Sequence, residues 1–156
     1  MALYLVQHGI SAPKDVDPEK GLTQQGREET DRIAQVAENY EINVSKIAHS
    51  GKNRAAQTAV IFHTALAVNA PIEIISGINP LDDVRRFAKN IKPDENALIV
   101  GHMPFMQRLV SYLTAGSAET RVYQFQNSGI VCLDSSQGAD GTLDWFIKCT
   151  LNPHIT

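Results

Sequence analysis

The segment Ala97-Leu98-Ile99-Val100-Gly101 constrains the fold of this chain more than any other stretch. Its four consecutive apolar residues leave no polar face. A strand written this way has to be covered on both sides, the condition of an interior strand in a parallel sheet. Parallel strands need crossover connections, usually helices. The remaining sequence should therefore alternate short apolar runs with longer amphipathic ones.

Residues 2–7 read as a buried strand stopped by Gly9, and 10–22 as a polar loop containing Pro13, Pro18 and Gly21. Thr23 can cap a helix from about Gln24, with Ile33, Val36, Ala37 and Tyr40 at helical spacing. A strand at 44–49 precedes a helix over 52–67, for which Ser50 is the expected cap. Residues 72–75 read as a strand, and Asp82 or Asp83 can start a helix reaching Lys89. The strand at 96–101 leads into a helix with Pro104 in its first turn, ending near Thr114. Residues 122–125, 130–133 and 143–149 read as strands, and the turn Gly138-Ala139-Asp140-Gly141 joins the last two in a hairpin. The expected class is α/β: a three-layer α/β/α unit whose sheet is mostly parallel with an antiparallel edge. Neither repeat nor linker breaks the chain, so 1–156 reads as one domain.

Composition removes several function classes. The net charge of −3 argues against a nucleic-acid partner. No apolar run approaches the roughly 18 residues of a membrane span, and Met1–Val6 is too short for a signal-peptide core. A soluble, cytoplasmic protein is expected. Cys132 and Cys149 do not form a CxxC pair, read as two buried free thiols, and give no sign of a metal site. No GxGxxG or Walker-type loop follows any strand, which disfavours a nucleotide-binding domain.

Ligands of open parallel sheets bind beyond the carboxyl ends of the strands. His8, Ser50 with Arg54, Asp82 with Asp83, and His102 each follow a different expected strand, so all four groups should reach one rim. Helices starting near Lys52 and Met103 present free backbone N–H groups to an anion there. Arg54 can hold two phosphoryl oxygens at once. Two imidazoles and a guanidinium are the parts needed to move a phosphoryl group without a metal.

Four segments together resemble the histidine phosphatase superfamily, the phosphoglycerate-mutase-like group. They are Leu5-Val6-Gln7-His8-Gly9, Leu22-Thr23-Gln24-Gln25-Gly26, the run from Ser50 to Ala59, and Leu98 to Pro104. At this length the chain looks most like the SixA-type phosphohistidine phosphatases. The resemblance implies that His8 attacks phosphorus and carries the phosphoryl group, with His102 and Arg54 binding the transferring oxygens. It implies Asp83, or its neighbour Asp82, as the proton donor; the plain reading of either is a helix cap. It implies no metal and no organic cofactor. The substrate class it implies is a phosphohistidine-bearing signalling or phosphotransfer protein, with a small phosphorylated metabolite as the rival.

One position departs from that pattern. The family places arginine where this chain has Gln7. An amide can donate hydrogen bonds to a phosphoryl oxygen, so Gln7 stays a candidate phosphate ligand, but it brings no charge. Two outcomes follow: an enzyme with a changed pocket, or a weakly active module that binds phosphorylated ligands. Lys52 reads as a surface charge, His49 as a space filler, and His63 and His154 as solvated. Ser11 and Asn127-Ser128-Gly129 read as loops that could border the site.

Overall fold

The computed structural model describes residues 2–155. Met1 and Thr156, the ends of the expected 1–156 unit, lie outside the described residues. The elements run β1 (Ala2–Gln7), α1 (Gln24–Asn39), β2 (Lys46–His49), α2 (Asn53–Ala65), β3 (Glu73–Ile74), α3 (Val84–Ala88), a 3-10 turn (Pro93–Glu95), β4 (Ala97–Gly101), α4 (Phe105–Ala115), β5 (Ile130–Gln137) and β6 (Leu143–Leu151). The six strands form one sheet in the order β3-β2-β4-β1-β5-β6. The first four of these are parallel; β5 runs antiparallel to β1, and β6 to β5.

All five residues of β4 are buried, as a strand with no polar face requires. Alternation along β1 and β4 divides the core. Tyr4, Val6, Leu98 and Val100 pack with Ile33, Ala37 and Phe62 from α1 and α2. Leu3, Leu5 and Ile99 pack with Val84, Phe105 and Leu109 from α3 and α4. The sheet is thus covered on both faces.

Several local expectations need correction. Residues 122–125 form no strand; they run as irregular chain between α4 and β5. Tyr40 is 70% exposed; Ile33 and Ala37 are buried as expected, and Gly26, Thr30 and Ala34 join them on the buried face of α1. Cys149 is exposed and Cys132 only half-buried; the two face each other across β5 and β6 as free thiols. Burial raises the Cys132 thiol to about 11. Strand β5 extends to Gln137, well beyond 133, and turns into β6 through Gly138 N–H donating to Thr142 O at 2.7 Å.

Thr23 caps α1 by accepting from Gly26 N–H at 2.9 Å. Gly26 also allows a close approach. A Cβ there would collide with the backbone oxygen of Ile10, two residues past His8. Backbone cannot move aside as a flexible side chain can. Gly26→Ala should therefore destabilise the protein by about 1–3 kcal/mol in urea unfolding, the usual range for overpacking; an unchanged midpoint would refute this account of Gly26.

Candidate active site

His8, Arg54 and His102 meet at the carboxyl ends of the central strands. His8 follows β1 directly, and its backbone N–H donates to Gly101 O at 3.1 Å, tying it to the strand that delivers His102. The two imidazole centroids lie 5.0 Å apart with the rings tilted by 49°. Arg54, in the first turn of α2, donates from Nε to His8 Nε2 at 3.3 Å. On the far side of the ring, His8 Nδ1 lies 2.7 Å from the Gly9 carbonyl oxygen. A carbonyl can only accept, so Nδ1 carries the proton and Nε2 keeps its lone pair. The ring is held in the tautomer of an Nε2 nucleophile, with the guanidinium directly before it.

His102 is 2% exposed, and its Nε2 lies 2.5 Å from Ser50 Oγ. Its Nδ1 is buried without a partner, as is Gln7 Oε1. These are two of the three such side-chain atoms among the described residues. Unsatisfied buried groups are uncommon in native folds. Both atoms belong to residues beside His8: Gln7 precedes it and the His102 ring lies 5.0 Å away.

Burial lowers the pKa of both imidazoles. For His102 it reaches about 3, with the charges of His8, Arg54, Lys52 and Lys20 adding to the desolvation. His8 is also lowered, by burial first; its bond to Gly9 opposes the shift, and the charges of Arg54 and Lys20 reinforce it. Both rings are neutral at neutral pH. Lys20 was missed by sequence reasoning, since it sits in a loop with no motif around it.

The backbone around His8 is held from three directions. Gly9 N–H donates to Thr58 Oγ1 at 2.9 Å, and that hydroxyl donates to Arg54 O at 2.8 Å. One side chain thereby joins the loop of His8 to the helix of Arg54. Asn127 Nδ2 donates to His8 O at 2.9 Å, and Ser128 N–H to Gln7 O at 2.9 Å. Ser128 is fully buried at φ 66°, an unfavourable region for serine, and its Oγ lies 2.7 Å from Thr30 Oγ1. Residues in this region persist only where their surroundings fix them.

No family model matches the chain. Over 151 residues it is 22% identical to phosphohistidine phosphatase SixA of Escherichia coli (strain K12), covering 93% of this chain and 92% of the relative. The solved structure of the protein histidine phosphatase SixA complexed with tungstate superposes with a TM-score of 0.82 at 20% identity, covering 98% of this chain and 97% of that one. A mycobacterial glucosyl-3-phosphoglycerate phosphatase with bound VO3 superposes with a TM-score of 0.71 at 14% identity, covering 97% and 98%. The chain has the histidine phosphatase fold.

Within this histidine phosphatase fold the remaining candidates are placed differently. Asp83 is the N-cap of α3, accepting from Arg85 N–H at 2.9 Å, and Asp82 accepts from Asn79 N–H at 2.9 Å. Both carboxylates line a cavity with Ser76, Arg86 and Asn90, which contains none of His8, Arg54 or His102. Ser50 does not cap α2; that position is Lys52, with no side-chain bond, and Ser50 instead contacts His102. His49 is buried and accepts from Gly51 N–H at 3.0 Å, shaping the turn that presents Ser50. His154 is bonded rather than free, with Nε2 2.7 Å from Oε1 of the buried Glu29, and His63 Nε2 lies 2.8 Å from Ala70 O.

The lowered imidazoles make stability depend on pH. The ordinary histidine value is 6.5 and folding carries His102 down to about 3. Between these values the unfolded chain binds the extra proton, so stability is full above the upper one and declines as pH falls through the window. The melting temperature should drop between about pH 7 and about pH 5, and drop less in His102→Asn. Identical slopes in both proteins would show that His102 does not contribute.

Proposed function

We propose that this chain is a phosphatase that takes the phosphoryl group from phosphohistidine in a signalling or phosphotransfer protein. The pairing of His8 carries this reading: Nδ1–H is fixed by Gly9 and Nε2 faces Arg54. His8 Nε2 attacks phosphorus in line. The bond from phosphorus to the leaving imidazole breaks as the bond to Nε2 forms; the substrate ring, protonated on its other nitrogen, departs as neutral imidazole. Water then attacks the phosphorylated His8, releasing phosphate and restoring the free imidazole. Arg54 and His102, with the Ser50 hydroxyl, stabilise charge on the equatorial oxygens, which is most of what phosphoryl transfer asks of a protein.

A protonated imidazole leaves readily, so the demand on a general acid is low. That suits a site in which Asp83 is engaged at a helix end. The SixA relative of Escherichia coli supports the phosphohistidine reading through its name and its near full-length coverage. A soluble, cytoplasmic setting fits this substrate, and among the described residues no helix is long and apolar enough to cross a membrane.

The test is phosphate release from a phosphohistidine-bearing protein, with His8→Ala alongside. Release that vanishes in the variant supports the enzyme. Tight binding without release supports a phospho-binding module, and release only from sugar or acid phosphates supports a metabolite phosphatase. Because burial lowers the His8 pKa, the acid limb of kcat/KM should lie below the ordinary histidine value of 6.5. A limb above neutrality would contradict the neutral-nucleophile scheme.

Gln7 supplies an amide where a cation would bind the phosphoryl group more strongly. Gln7→Arg should raise turnover of an aryl phosphate, by less than the roughly 10²–10³-fold effect of a complete donor. Equal or lower turnover would mean that the pocket is organised around the amide.

A further inference from the structure

The positive charges that act on the two histidines come from one side. Arg54 and Lys52 stand at the start of α2, and Lys20 lies in the loop tied to α2 through Asn53 Nδ2 and Glu19 O at 3.2 Å. Gln7 belongs to the other side. It follows Leu3 and Leu5 in the alternation of β1 and lines a cavity of about 510 Å³ with Met103, Gln107, Arg121, Gln124 and Phe125. Gln7 and Met103 are the chain neighbours of His8 and His102, so this cavity adjoins the phosphoryl site. Its volume is that of a pocket for an organic group, well beyond a lone oxyanion.

Two observations give the cavity a polarity. Arg121 is exposed and takes part in none of the ion pairs among the described residues, and no carboxylate lines the cavity. Gln7 Oε1 is buried and lacks a donor. A guanidinium has five N–H donors in a planar fork, enough to satisfy an amide oxygen with one edge and hold a carboxylate with another.

We propose that Arg121 and Gln7 form a second anion subsite, which selects a substrate carrying a carboxylate beside its phosphorylated residue. Arg121 pairs with a glutamate or aspartate flanking the phosphohistidine, and the Gln7 side chain in the same cavity wall borders that carboxylate. The subsite deepens the phosphohistidine reading and rests on it for the identity of the substrate. It also moves the positive charge absent at position 7 outward, from the transferring group to its neighbour. Arg121 is then a specificity residue and touches no reacting atom.

The test uses two synthetic peptides that differ only beside the phosphohistidine, one with glutamate and one with glutamine. Binding is measured by titration calorimetry to the His8→Ala protein, which cannot turn the peptides over. The glutamate peptide should bind about tenfold more tightly, with the gap shrinking at high salt. Adding Arg121→Gln should bring the ratio to about one, and Arg121→Lys should retain part of it. Arg121 lies on exposed irregular chain, so these substitutions leave the core intact. Equal binding of both peptides, no binding of either, or a preference that survives Arg121→Gln would each overturn the subsite. Hydrolysis of the same peptides by the unsubstituted protein reads the phosphatase assignment separately, since its failure leaves the binding ratio standing.

Discussion

The hydrogen bond from His8 Nδ1 to the Gly9 carbonyl sets the chemistry of the whole rim. It decides which ring nitrogen is free, and the rest of the local structure keeps that carbonyl in place. Thr58 holds Gly9 from α2, Asn127 and Ser128 hold the backbone of His8 and Gln7 from the loop before β5, and Gly26 lets α1 close against Ile10. Each contact is a backbone constraint delivered by a separate element. Together they define where one carbonyl points, though none of them carries a reacting atom.

Around that ring the fold separates neutrality from charge. Burial keeps both imidazoles uncharged, which leaves a lone pair on the His8 ring and avoids repulsion between rings 5.0 Å apart. Positive charge comes instead from Arg54, Lys20 and Lys52, which act on the rings from one side. Their placement on the α2 side leaves the Gln7 side neutral at the reacting centre. The site is therefore asymmetric, with a guanidinium on one flank of His8 and an amide on the other.

Much of this was legible in the chain. The continuous apolar run of β4 demanded cover on both faces, and the cap at Thr23 and the hairpin turn at 138–141 depend on local chemistry that sequence displays directly. The convergence of His8, Arg54 and His102 followed from strands ending at one rim. The misreadings share a cause: tertiary geometry overrode a local preference. Residues 122–125 have strand-like composition, yet β1 takes β5 as its antiparallel neighbour and the segment stays irregular. Ser50 has the identity of a helix cap, yet its hydroxyl is turned to His102 by a turn that His49 shapes. Ser128 adopts its left-handed conformation because Thr30, ninety-eight positions away in sequence, holds its hydroxyl. Asp83 shows the reverse, since there the local capping role is the one observed.

The account stands on covalent chemistry at one nitrogen, and mass spectrometry of a rapidly quenched reaction addresses it most directly. With a phosphohistidine donor present, the phosphoryl mass should appear on the peptide containing His8 and on no other, and should be lost on acid treatment as a phosphoramidate is. Release of phosphate with the modification on His102, or on a carboxylate or hydroxyl elsewhere, would contradict it.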